Sequence, residues 1–308
     1  MKKYLTLSLL FIGINSYAQK VKLQLNLQMD STYYLGTNAS LDIDQFINAA
    51  HQDVKTVITG RMSHKVVAIK DTVYELQTEF KSLGMHVEAN GQVIEFNSKA
   101  DEANPMSKIM NTMMDKPFSM FISKSGRVLA IKNIDTVYAG ISAAVPNATP
   151  EQRAQLKTQM EQSFGEKSIR TNLQDAFVIF PKAEIAIKGT WATNTTLDAP
   201  AAVITTKMVY TLDNITADAY FISGHAILAS DKTKPPTYKQ SAGFMMRMLN
   251  ITGTAVVKLK LDRKTGWIID TNVAKNIKGT VQLKDSPKIP GGITYPMVIT
   301  AVLKGDNL

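Results

Sequence analysis

The chain has 308 residues, with 35 Lys plus Arg against 26 Asp plus Glu, a formal net charge of +9, and no cysteine. The missing cysteines exclude disulfides, thiolate nucleophiles and cysteine-type zinc sites together, and a chain this long buries ample core without such staples. The basic balance is spread without a block of like charges, which favours an ordinary basic surface over a nucleic-acid partner.

Lys2 and Lys3 precede an apolar run from Leu5 to Ile14, and Ser16-Tyr17-Ala18 then sets small residues at the −3 and −1 positions of a cleavage site. About ten apolar residues is half of a bilayer span. The expectation is a signal peptide over residues 1–18, cut between Ala18 and Gln19, with no lipid-anchoring cysteine and a product that is periplasmic or extracellular. No later apolar run reaches spanning length.

Residues 21–29 alternate, with Val21, Leu23, Leu25, Leu27 and Met29 on one face, which predicts a half-buried strand. A Tyr-bearing strand follows at Thr32-Tyr33-Tyr34, and further strands are expected over 54–69, 72–80 and 85–97, with Asn90-Gly91 as a hairpin turn. Met106, Ile109, Met110 and Met113 fall on one helical stripe within 104–116. Thr149-Pro150-Glu151-Gln152 reads as N-cap, N1 proline and capping box of a helix running to about Phe164, with Leu156, Met160 and Phe164 inward and Gly165 ending it. A second helix is expected over 166–176, then strands at 183–196, 201–212, 217–230, 254–262, 267–273 and 293–303.

The two strand-rich parts resemble each other. "IKDTVYELQ" (69–77) aligns with "ITADAYFIS" (215–223), matching Ile69 with Ile215, Tyr74 with Tyr220 and Leu76 with Ile222. "KSGRVLAI" (124–131) aligns with "KTGWIIDT" (264–271), and each follows a Met-rich segment. The organisation expected is a first β-rich unit over 19–135, a helical insert over 136–182 and a second β-rich unit over 183–308, forming one structural domain. The fold class is mainly β with a few helices: two tandem related antiparallel units making a curved sheet or half-barrel with helices packed on it.

Lys264-Thr265-Gly266 has the sequence of a serine β-lactamase box, but no Ser-x-x-Lys or Ser-Asp-Asn motif accompanies it. It reads as a turn whose Gly266 supplies a positive φ. His51, His64, His86 and His225 show no metal spacing, and phosphate loops, dinucleotide fingerprints and nucleophile elbows are absent. No metal or cofactor is expected, and no catalytic residue is identified. Asp42 and Asp44 share a strand face, which reads as a solvated face unless a glycosidase pair is completed in space.

Two features suggest function. Met106, Met110, Met113 and Met114, then Met245, Met246 and Met248, offer either core packing or an adaptable apolar ligand surface. Ser31, Thr72 and Thr136 each follow an aspartate and precede a small or apolar residue, resembling a bacterial O-glycosylation sequon.

The signal ending in Ala-Gln, Thr32-Tyr33-Tyr34, the Pro181 and Ile187-Lys188-Gly189-Thr190-Trp191 stretch and the Asp-x-x-Thr-Gly hairpin together resemble an uncharacterised family of exported, β-rich Gram-negative proteins of unknown function. That resemblance implies a fold and an exported setting but no activity. The reading is a non-enzymatic envelope protein that binds an apolar small molecule or an envelope partner. It binds no nucleic acid and does not span the membrane. The alternative is a hydrolase of envelope glycan or lipid whose site is built from separated residues.

Overall fold

The computed structural model describes residues 20–47, 50–99, 104–199, 202–241, 244–287 and 289–307; the expected signal peptide and its cleavage point lie outside them. One antiparallel sheet of thirteen strands dominates, with the order β6-β5-β3-β2-β1-β13-β12-β11-β9-β8-β7, β4 pairing with β3 and β10 with β11. It curls without closing into a barrel, leaving β6 and β7 at opposite ends of the path.

The first five strands of the path are β1 (Thr32–Ile47), β2 (Ala50–Lys70), β3 (Val73–Ala89), β5 (Phe118–Ser123) and β6 (Val128–Lys132), with β4 (Gln92–Asn97) beside β3. The others are β7 (Thr190–Ala199), β8 (Ala202–Ile215), β9 (Ala219–Ser230), β10 (Lys239–Ser241), β11 (Phe244–Asp262), β12 (Ile268–Leu283) and β13 (Ile293–Asp306). The two groups join where β1 pairs β13, with Leu41 opposite Ala301.

The register on the two sides recurs at the aligned residues. Ile69 faces Tyr74 and Val66 faces Leu76, with a bulge between Val66 and Ala68. On the other side Ile215 faces Tyr220 and Leu212 faces Ile222, with a bulge between Leu212 and Asn214. Tyr74 then faces Ile122 as Tyr220 faces Leu261. A bulge changes which residues point inward, so its recurrence keeps both sets of core side chains on one face.

The turns follow from local chemistry. Asn90 (φ 51°) and Gly91 (φ 74°) carry the positive φ pair of a tight hairpin. Gly126 (φ 79°) and Gly266 (φ 69°) occupy the same place in the two KxG turns. A Cβ there would collide with the Val178 carbonyl in the first turn and the Gln24 carbonyl in the second. Both turns are therefore crossed closely by extended backbone: the Phe180 amide donates to the Ser125 carbonyl, and the Asn26 amide to the Thr265 carbonyl.

That crossing explains the first departure from sequence expectation. Leu23, Leu25 and Leu27 are buried as their alternation predicts, but the segment is not a strand of the sheet. It threads across the sheet end, donating from Leu25 to the Lys124 carbonyl and pairing Val21 with Ile185, while Met29 is exposed at a turn. The Tyr74 hydroxyl donates to the Leu25 carbonyl (3.1 Å) and accepts from the Leu27 amide (3.3 Å). The strand expected from residue 183 begins at Thr190, because the preceding residues pair with Val21 and turn at Lys188 (φ 66°). Strands β11 and β12 are longer than expected, β11 beginning at Phe244 and β12 running to Leu283.

The helices are α1 (Pro105–Thr112), α2 (Asp135–Tyr138), α3 (Ile141–Ala144), α4 (Pro150–Phe164) and α5 (Glu166–Ala176). The capping box of α4 forms as read: the Gln152 amide donates to Thr149 Oγ1 (3.3 Å) and the Thr149 amide to Gln152 Oε1 (2.9 Å). Met160 is buried and Leu156 packs at the core edge; the Phe164 side chain is outside the description. Helix α5 lies on β6 and α1 on β4. With the extended segments they fill the end of the sheet that carries both KxG turns, burying Ile109, Met110, Met113, Ile169 and Leu173 in the main core.

Candidate functional site

Beyond the part of the concave face that the helices fill, the wall is lined by strand residues alone. One apolar cluster joins Ile204 of β8, Ala226 and Leu228 of β9, Ile251 and Ala255 of β11 and the edge of Met208. A second joins Val281 of β12, Tyr295 and Met297 of β13 and, at its margin, Ile43 of β1 and Met246 and Met248 of β11. No described helix residue belongs to either cluster. Their burial comes from curvature of the sheet, which turns its inner side chains toward one another.

The floor of this trough is built from small residues. Ala226 faces Ala255, and Gly224 faces Val257, across β9 and β11. A Cβ at Gly224 would press on the Tyr210 ring and Met208 Sδ, so the larger side chains of β8 lean over the glycine. Where the trough meets the helices, a small groove with about 70 Å³ of accessible room, partly open to solvent, lies under the Phe177–Ile179 backbone. Met208, Tyr210 and Leu228 line it with Thr195, Gln174 and Lys275. Trp191 anchors its lid, donating from Nε1 to the Ile179 carbonyl (2.8 Å) and stacking on Tyr210 with ring centroids 5.2 Å apart.

The chain belongs to a family of unknown function (DUF6263), which matches residues 71–268. No curated protein matches it in sequence. Among solved structures, one describing lipid–protein interactions in lipovitellin is similar with a TM-score of 0.43 and 11% identity, covering 91% of this chain. The chain spans 25% of that lipovitellin chain. An outer membrane channel from Pseudomonas putida F1 is similar with a TM-score of 0.26 and 6% identity, over 91% of this chain and 97% of the channel. Scores this low carry no functional reading.

The methionines expected to form one surface are divided. Met110 and Met113 are buried in the main core and Met106 and Met114 pack at its margin, because residues 105–112 are helical. Residues 244–249 are strand instead, so Met246 and Met248 reach the trough while Met245 points away and is 41% exposed. Alternation along β8 and β13 brings in Met208 and Met297, which lie outside both methionine clusters of the sequence.

His64 sits elsewhere, with no exposed surface, in an aromatic cluster. Trp267 lies 5.4 Å from the His64 ring, 5.1 Å from Tyr33 and 5.2 Å from Phe177, and its Nε1 donates to the Tyr34 carbonyl. His64 Nδ1 shares a 3.0 Å hydrogen bond with buried Thr78 Oγ1, and its Nε2 is buried without a partner. Burial in this apolar setting lowers its pKa from 6.5 to about 3, so the ring is neutral near pH 7 and sealed from any substrate.

On the convex face, Asp44 lies opposite Asp53. His51 Nε2 reaches Asp44 Oδ1 at 2.8 Å and Asp53 Oδ1 at 3.4 Å. Their ligating atoms lie within 4.8 Å of one another, a spacing compatible with a metal ion; cross-strand pairing assembles the trio, so linear spacing of histidines gave no sign of it. Asp42 faces Lys55, a charge-paired strand surface. His86 Nδ1 lies 3.7 Å from Glu95 Oε2, and His225 pairs across the sheet with Val209 and Val256.

Thr72 is exposed at the β2–β3 turn behind Asp71 (φ 51°), and Ser31 is half-buried behind Asp30 (φ 63°). Exposed Thr136 lies in α2, its hydroxyl donating to the Pro117 and Asn133 carbonyls. No described helix is long and apolar enough to cross a membrane.

Proposed function

We propose that this protein is an exported, non-enzymatic binder that holds an apolar ligand in the trough of its curled sheet. The observation that carries the reading is the pair of apolar clusters supplied by strands alone, continuous with a groove that opens to solvent. A concave apolar wall with a few polar groups at one end is the usual form of a small-molecule site. Export is supported by the basic, apolar and small-residue succession of residues 1–18. The hydrolase alternative draws no support from His64, whose burial keeps it from substrate.

The test is fluorescence of the neutral apolar probe N-phenylnaphthylamine, titrated with the purified chain. Enhancement with saturable binding is expected, and Ala226→Phe or Ala255→Phe, which place a ring on the trough floor, weakens it about tenfold. An absence of saturable enhancement in the wild-type protein overturns the reading.

A further inference from the structure

We infer that the convex face of β8, β9 and β11 docks on the surface of an anionic lipid bilayer, independently of what the trough holds. Cross-strand pairing lays one row across this face: Ala192, Val209, His225, Val256, Ala274 and Val302 are successive partners from β7 to β13. Their chain neighbours Met208, Ala226 and Val257 turn toward the trough, so this row faces outward. Ile227 lies beside the row, two residues along β9 from His225. Ile227, Val209 and Val256 are 67%, 48% and 43% exposed. Scattered exposed aliphatics are ordinary, but these three stand on adjacent strands about 4.8 Å apart and form one patch.

The charges around the patch have one sign. Lys207 is the partner of Ile227 on one side of the row. Lys258 and Lys304 lie in the row on the other side, joined through Asn272. From Lys207 to Thr211 along β8, and from β8 to β13 across the sheet, these rows cover roughly 13 Å by 19 Å. No acidic residue falls within them; Asp270 pairs with Lys260 one row beyond. All three lysines are exposed, and none is ion-paired among the described residues.

Composition decides between occupants. A second copy set on the same face brings lysines against lysines. Protein partners are anchored by Trp, Tyr and Arg, and lysine is depleted at their interfaces; these rows hold none of those anchors. Short aliphatic side chains flanked by lysines suit a fluid surface. The methyl groups enter the headgroup boundary, while the ammonium groups reach lipid phosphates on their long stems. Attraction to an anionic bilayer is worth about fivefold per lysine, so three give on the order of a hundredfold.

The experiment is co-sedimentation of the purified chain with vesicles of phosphatidylcholine alone and of equal parts phosphatidylcholine and phosphatidylglycerol. Wild type is expected to bind the anionic vesicles on the order of a hundredfold more tightly; no binding, or equal binding to both, overturns the inference without any variant. Lys207→Gln, Lys258→Gln and Lys304→Gln combined lose that preference. Lys65→Gln, Lys70→Gln and Lys108→Gln combined, exposed elsewhere on the molecule, keep it. Equal losses in the two sets mean that net charge alone acts, which overturns the assignment to this face. Val209→Thr, Ile227→Thr and Val256→Thr combined keep β-branched residues in the strands and are expected to weaken binding about tenfold; unchanged binding overturns the apolar contact. Ala226→Phe, on the trough floor, leaves vesicle binding intact, and its loss there would overturn the inference in favour of lipid taken up by the trough.

Discussion

Acidification tests the burial of His64 directly. The ring pKa falls from 6.5 when unfolded to about 3 when folded, because burial penalises the imidazolium. The sign follows from proton counting: between those values the unfolded chain binds the extra proton and the folded one does not, so stability falls as pH falls. The contribution is fully present above pH 6.5 and is lost progressively down to pH 3. At pH 5 the gap is one and a half units, and at about 1.36 kcal/mol per unit the loss is roughly 2 kcal/mol. That is a large part of the stability of an ordinary domain. Urea unfolding at pH 7.5 and pH 5.0, at fixed ionic strength, compares wild type with His64→Phe. The variant keeps a ring against Trp267 and removes the titrating group, although Thr78 loses its 3.0 Å partner. Wild type is expected to lose about 2 kcal/mol more than the variant between the two pH values. Parallel losses would refute the claim that His64 is held neutral in the folded protein.

Gly266→Ala forces a side chain into a left-handed turn and into the Gln24 carbonyl; a loss of about 3 kcal/mol in urea unfolding is expected. Gly91→Ala, with open space around its Cβ, should cost only about 1 kcal/mol, and equal costs would discredit the crossing of the turn by the 21–28 segment. Tyr74→Phe removes the hydroxyl that ties residues 25 and 27 to β3, so a drop of about 1–3 kcal/mol is expected, with faster hydrogen exchange at the Leu27 amide as the local readout. Intact mass of the protein isolated from its native host tests the expectation of glycan at Ser31, Thr72 and Thr136; exposed Thr72 is the site expected to be occupied most, and an unmodified mass ends that expectation.

Much of the fold is legible in the sequence because it is written locally. Period-two alternation marks β2, β3, β8 and β9, Asn90-Gly91 and the two KxG turns specify positive φ, and Thr149 to Gln152 specify a helix start. These signals need only neighbours along the chain. The candidate site is less legible. Met208 and Met297 are single residues in alternating strands, and Lys275 reads as one more polar residue until its face is known.

The sequence alone settled that this chain is mainly β, that its strands are antiparallel, and where its tight turns and its capped helix lie. The tertiary structure decided the rest. It took Leu23, Leu25 and Leu27 out of the sheet, because a crossing segment satisfies its amides on the two KxG turns. It sent the methionines of 106–114 into the core and those at 246 and 248 to the trough, because one segment is helical and the other extended. It turned Lys275 toward the groove, because the register of β12 between β11 and β13 fixes which alternate residues turn inward. Facing and pairing are long-range properties, set by which strands meet, and no window of sequence contains them.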